Sequence, residues 1–253
     1  AFGSTKPLNT PGSILFLNSM FPSLDDEHET EERRPVIFGE GYAKKPYSTH
    51  SIFHISAMSY GALSAPAIEA LSHGAAKANI LLNTGEGGLS PFHLSGNCDL
   101  TFQIGTAKYG VRDFYGNLSD EKLIEVASHD AVKMFEIKLS QGAKPGKGGI
   151  LPAGKVTTLI ASTRGIPIGE DSISPNRHKD ISNIDDLLTM IERVRRVTEK
   201  PTGIKFVLGQ YEWLDDFCSE IHKRGLNYAP DFITLDSADG GTGAAPQSLM
   251  DNV

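Results

Sequence analysis

Two lysines stand in stretches that otherwise look built for burial. Lys138 lies in KMFEIKLS, residues 133–140, and Lys205 lies in GIKFVLG, residues 203–209. An ammonium among apolar neighbours costs free energy unless a partner or an anion meets it. Two bland arrangements are open: exposure on a half-buried strand, or pairing of Lys138 with Glu136. Parallel strands are covered on both faces. In such a sheet both lysines would point inward, at an anionic cofactor. An isoalloxazine that takes up a hydride gains negative charge near N1 and O2, and a fixed ammonium there stabilises it.

Other candidates cluster at the ends of apolar runs. Glu86 sits in NTGEGG, residues 83–88, where glycines let backbone approach a ligand and leave the carboxylate free for proton transfer or for polarising an amine. ADGGTG, residues 238–243, could cradle a phosphate with its N–H groups, or be a plain turn. The stretch EIKLSQGAKPGKGGILPAGKV, residues 136–156, holds four lysines and five glycines in a chain of net charge -7. Lys144, Lys147, Lys155 and the later Arg164 are either a solvated basic loop or a set suited to a dicarboxylate. The histidines, His54, His93 and His178 among them, are scattered, so no metal site is expected, and His54 reads as a packed core residue.

Elements must position these groups. SIFHISAM (51–58), NILLNTG (79–85), TFQIGT (101–106), 133–140, 203–209 and DFITLDSADGG (231–241) read as strands. Helical patterns follow Ser64, span 119–127, start at a Ser182/Asp185 capping box, and run from Trp213 to a stop at Gly225. Residues 141–181 read as one long Gly/Pro-rich loop, and 1–50 as an irregular segment in which DDEHETEER (25–33) is a solvated charge cluster. Strands alternating with helices imply a parallel sheet, open or closed into a barrel. Ligands of such sheets bind at the carboxyl ends of the strands, where Met58, Ser59, Gln103, Gln141 and Asp236 also fall.

Composition narrows the class. With 39% hydrophobic and 22% charged residues the chain reads as soluble and globular. The acidic balance argues against nucleic acid as a partner. Two distant cysteines, Cys98 and Cys218, suit a reducing, cytoplasmic compartment and no disulfide framework.

MSYGALS (58–64), NTGEGG (83–88), KLSQGAKPGKGGILPAGKV (138–156) and DGGTGAAP (239–246) together closely resemble the FMN-binding central domain of glutamate synthase, and its stand-alone relatives without a glutaminase domain. The resemblance covers roughly residues 50–250. It implies an α/β fold, a TIM (β/α)8 barrel of which residues 51–253 hold about six of eight strands, as a fragment of a longer chain. It implies FMN as cofactor and reduction of 2-iminoglutarate, formed from 2-oxoglutarate and ammonia, to glutamate. Met58, Ser59, Gln103, Lys138 and Lys205 would lie at the flavin, and Asp239, Gly240, Gly241 and Thr242 toward its phosphate. Gln141, Lys144 and Arg164 would hold 2-oxoglutarate, with Glu86 and Lys205 catalytic. The family's [3Fe-4S] cysteine cluster is absent from this sequence and could lie only in a further C-terminal part. Ammonia would come from solution or a glutaminase partner, and the electron donor is not identified. A transferase making N-methylglutamate on the same barrel, and a non-catalytic subunit that kept the fold, are the alternatives.

Overall fold

A computed structural model describes residues 20–21, 34–144, 146, 148–209 and 211–236. The chain divides into two compact units, Ala1–Arg34 and Pro35–Val253. Of the first, only Met20, Phe21 and Arg34 are described. The second begins with an antiparallel pair, β1 (Val36–Phe38) and β2 (Tyr47–Thr49). Then come α1 (Ala65–Ala78), β3 (Leu82–Asn83), α2 (Pro91–Leu94), β4 (Leu100–Ile104), α3 (Asp120–Ala127) and β5 (Val132–Lys138). A second antiparallel pair, β6 (Ile150–Leu151) and β7 (Ser172–Ile173), brackets α4 (Thr158–Arg164). The order closes with α5 (Ile184–Thr198), β8 (Thr202–Val207), α6 (Glu212–Arg224) and β9 (Ile233–Asp236).

The main sheet runs β3-β4-β5-β8-β9 and is parallel throughout. Its strands neighbour one another in chain order, with no reversal. A doubly wound sheet reverses its order at a switch point; a barrel does not. One side chain shows the curl. Glu136, in the central strand, accepts from Asn83 Nδ2 of β3 (2.8 Å), from Gln103 Nε2 of β4 (2.7 Å) and from Thr234 Oγ1 of β9 (2.6 Å). In a flat sheet β3 and β9 would stand about 19 Å apart, four strand spacings. That is more than an asparagine, one carboxylate and a threonine can bridge, so the sheet must wrap around Glu136. The result is an incomplete TIM-type barrel with five parallel strands.

Period-two alternation divides the strand residues between two faces. Phe102, Ile104, Phe135, Ile137, Ile204 and Phe206 join Leu123, Leu188, Ile191, Val194, Phe217 and Ile221 of the covering helices in one core. Each such side chain contributes about 1.5–3 kcal/mol on burial. Gln103, Glu136, Lys138, Lys205 and Thr234 take the other face, the concave one. At the amino end of this sheet, Gly203 has no side chain because the Phe232 ring fills that volume, 2.5 Å from where a Cβ would stand. Phe38 packs edge-on against the same ring at 5.7 Å, and Tyr47 Oη donates to Asp99 at 2.9 Å. The β1–β2 pair thus closes the amino end, leaving the carboxyl end for a site.

Several expectations change. Residues 51–58 form no strand; Ile55 makes a single parallel bridge to Leu82, and Ile52 and Phe53 are exposed. Its pairing is confined to three backbone bonds, Ile55 N to Leu81 O, Asn83 N to Ile55 O and Met58 N to Asn83 O. His54 is accordingly not a core residue but an exposed one, whose Nδ1 accepts from Leu81 N. The helix start predicted at Ser182 falls one residue on: Asn183 caps α5 by accepting from Asp186 N, and Asp186 reciprocates on Ser182 N. The presumed loop 141–181 contains α4, capped by Thr157 and seated on a small apolar cluster of Leu151, Val156, Ile160 and Ala161. Its β-branched residues hide helical character that this packing restores. Both cysteines are free, and no helix among the described residues is long and apolar enough to cross a membrane.

Glu136→Ala should strand three donors beneath the sheet. A loss of about 3 kcal/mol in unfolding free energy is expected, read as a lower denaturation midpoint. A midpoint matching wild type would show that the carboxylate does not hold the curl.

Candidate functional site

The charged residues of the concave face converge at the carboxyl ends of β4, β5, β8 and β9. Glu86 enters from the glycine turn after β3. Gly85 takes φ +65°, and a Cβ on it would lie 2.7 Å from Ser59 N. The Glu86 carboxylate packs onto the bare backbone of Gly105: a Cβ there would stand 2.5 Å from Oε2. Its Oε1 lies 3.2 Å from Lys138 Nζ, which also donates to Gln141 Oε1 at 3.0 Å. Lys205 pairs with Asp236 Oδ1 at 2.8 Å, and Asp236 Oδ2 accepts from Gly142 N at 2.8 Å. Neither inward lysine pairs with Glu136. Their partners are acids at strand ends, within a short reach of each ammonium.

Asp236 therefore ties β9 to the start of the QGAK segment, a second anchor of which is Val207 N donating to Ser140 Oγ at 2.9 Å. The segment then turns, with Lys144 N donating to Gln141 O. It brings Lys144 to a recess that also holds Glu86, Lys138, Gln141, Thr106 and Asn176, around about 330 Å³ of empty space partly open to solvent. Lys144 is 5% exposed. Burial pushes its ammonium below the ordinary lysine range; Glu86 opposes that shift and Lys138 adds to it. Among the described residues its Nζ has no ion pair or hydrogen bond.

Lys200 makes the contrast clear. It too is buried, and burial takes its pKa down to about 8. Yet its Nζ donates to Ala127 O at 2.6 Å, to His129 O and to Val132 O. A carbonyl cage explains Lys200 as a structural cap; nothing of that kind meets Lys144.

The structure thus brings Glu86, Lys138, Gln141 and Lys144 together, with Lys205 joined to them through Asp236 and Gly142. Gln103 is buried on the concave face beside Glu136. Met58 and Ser59 border the glycine turn: Met58 N donates to Asn83 O at 3.0 Å, and His93 Nε2 donates to Met58 O at 2.8 Å. Arg164 does not line the recess but lies near it: burial lowers its pKa, and Tyr109 and Glu86 oppose that shift. It is 7% exposed, donates from Nη1 to Ser172 Oγ (2.8 Å), and stacks its guanidinium 5.1 Å from the Tyr109 ring centre. Its Nε is buried without a partner among the described residues. Asp239, Gly240, Gly241, Thr242 and Lys147 lie outside the described residues, and Lys155 is exposed.

Sequence reasoning left Asp236, Thr106, Asn176, His93 and His178 without roles. Only Asp236 carried a signal, as an acid on the strand next to that of Lys205. Thr106, His93 and His178 are fixed by contacts across 35 or more residues.

A chain-ordered parallel half-barrel with its polar side chains gathered at the carboxyl ends defines an incomplete TIM-type barrel. Residues 19–253 match the family described as the conserved region in glutamate synthase. The chain belongs to that family. It is 42% identical over 218 residues to the glutamate synthase large subunit-like protein YerD of Bacillus subtilis, covering 86% of this chain and 41% of that protein. It is 37% identical over 200 residues to an archaeal-type glutamate synthase [NADPH] of Thermotoga maritima, covering 78% and 36%. It is 35% identical over 253 residues to the archaeal glutamate synthase [NADPH] of Archaeoglobus fulgidus, covering 99% and 45%. The chain spans less than half the length of these relatives.

Gly105→Ala tests how the recess is built. The new methyl must displace Glu86 and so part it from Lys138, while strand β4 keeps its pairing. Near-native circular dichroism with a lower thermal midpoint is expected; an unchanged midpoint would mean that Glu86 is not held by this contact.

Proposed function

We propose that this chain forms the flavin and 2-oxoglutarate site of a glutamate synthase-type oxidoreductase, which reduces 2-iminoglutarate to glutamate with FMN. The observation that carries the reading is Lys144. A buried ammonium that lines a recess and makes no direct ion pair or hydrogen bond among the described residues calls for an anion to complete it. A ligand carboxylate between Lys144 and the Gln141 amide would do so.

The residues present also fit a flavin. Lys205 is positioned on the concave face, its charge balanced by an acid that a ligand could compete with. FMN, when bound, would supply the hydride for the imine carbon. The chain's own groups do the rest. Lys144 and Gln141 hold the carboxylate and limit the motion of the substrate. Glu86, held beside Lys138, faces the recess as the group to hold or protonate the substrate nitrogen. Arg164, buried with an unpartnered Nε, is the second cation for a dicarboxylate once the Ser172 contact is exchanged. The family membership and the relatives' names support the glutamate synthase reading.

The full-length protein should purify yellow, and ammonia with 2-oxoglutarate should oxidise its reduced flavin. A colourless protein that takes up no FMN on reconstitution would refute the proposal. Lys144→Met should raise the 2-oxoglutarate Kd by about 30-fold, close to 2 kcal/mol, with FMN affinity unchanged. The charged ammonium is the binding form. Affinity should therefore fall as pH rises through its depressed pKa, below the ordinary lysine range, and Lys144→Met should abolish that dependence.

A further inference from the structure

Pro175 and Asn176 line the recess, and the segment that carries them is fastened to the strand ends at three points. Thr106 Oγ1 donates to Pro175 O at 2.6 Å, Lys108 Nζ meets Asp180 Oδ1 at 2.8 Å, and His178 Nε2 contacts Lys138 O at 2.9 Å. Only the last of these touches a residue of the charged site. His178 is 2% exposed. A carbonyl only accepts, so Nε2 carries the proton and Nδ1 is left bare. That nitrogen is buried and has no partner among the described residues.

This arrangement suits one protonation state. A second ring proton would sit at Nδ1, where no acceptor stands. Burial pushes the ring toward the neutral form; the Lys138 carbonyl opposes this, Lys108 reinforces it, and Asp180 and Glu86 oppose it. Lys138 is the last residue of β5. Its carbonyl points to His178 while its ammonium reaches Glu86 and Gln141. A shift of this one residue would move both ends together.

We propose that His178 is a positioning residue for the anion site: its neutral imidazole, by donating to Lys138 O, fixes the end of β5 so that the Lys138 ammonium stays between Glu86 and Gln141, beside Lys144. The inference rests on the carboxylate-binding reading of that recess. It assigns His178 no contact with substrate or cofactor. It gives the recess a built-in reference: the wall segment and the strand that bears the cation are joined by one hydrogen bond, so the segment with Pro175 and Asn176 and the Lys138–Glu86 pair keep a set spacing.

Two variants and one spectrum test it, all in the full-length protein. His178→Gln places an amide N–H near the position of Nε2, whereas His178→Leu keeps comparable bulk and donates nothing. The 2-oxoglutarate Kd from calorimetry should rise about tenfold in His178→Leu and stay within threefold of wild type in His178→Gln, whatever either does to the melting temperature. A role in stability alone would lower the melting temperature of His178→Leu and leave the Kd unchanged, and that result overturns the proposal. Equal weakening in both variants overturns it as well. If His178→Leu does not fold, the wild-type protein decides: in 15N-histidine-labelled protein, His178 should remain the neutral Nε2–H tautomer at the pH where a free imidazole is half protonated, with Lys108, Lys138, Asp180 and Glu86 as the charged groups around it. An Nδ1–H tautomer or a protonated ring near neutral pH refutes the proposal. Absence of 2-oxoglutarate binding by the wild-type protein removes the carboxylate reading and the proposal with it; binding indifferent to His178 removes the proposal alone.

Discussion

One carboxylate holds the curvature on which the site depends. Glu136 projects from the central strand into the concave side and accepts hydrogen bonds from both edge strands and from the strand beside it. A buried carboxylate is costly unless its lone pairs are met. Here three neutral donors meet it, and they can do so only if the sheet wraps around. Curvature and charge satisfaction are the same event. The wrap in turn brings the carboxyl ends of β4, β5, β8 and β9 close enough for side chains from separate strands to share a recess.

Charge balance on the concave side follows. Lys138 has Glu86 and Lys205 has Asp236, whereas Lys144, near Glu86, makes no direct ion pair among the described residues. Such pairs contribute little net stability, since desolvation offsets attraction. Their value is in placement. Asp236 fixes Lys205 and the Gly142 amide at once, and Glu86 stays where glycine backbone leaves room for it. The unpaired cation leaves positive charge in the recess, in a chain whose net charge is -7. The basic, glycine-rich segment is thus divided: Lys138 and Lys144 belong to the recess, and Lys155 is solvated.

Rigid elements set these groups, and long-range backbone contacts hold them. His93 and His178 each donate to a main-chain carbonyl of a site residue, Met58 and Lys138. Both are buried, and burial lowers both pKa values. They replace ladder bonds where regular strand pairing stops. A segment that leaves its sheet would otherwise carry unsatisfied carbonyls into the interior.

Much of this was legible in the sequence, because the governing patterns are local. Period-two alternation placed Glu136 and Lys138 opposite Phe135 and Ile137. Lysine in an apolar strand marked Lys138 and Lys205 as inward, and glycines around Glu86 marked close backbone approach. What the sequence left open were choices that depend on contacts distant in the chain. Residues 51–58 look like a strand but pair through three backbone bonds only. Residues 158–164 look like loop but become helix by packing on Leu151 and Val156. Lys138 finds Glu86 instead of Glu136, because the carboxylate two residues away is drawn down to Asn83, Gln103 and Thr234. Local chemistry determined which residues face inward. Only the tertiary structure decided which of them meet, since a strand fixes the direction of a side chain, and only the curl of the sheet fixes its partner.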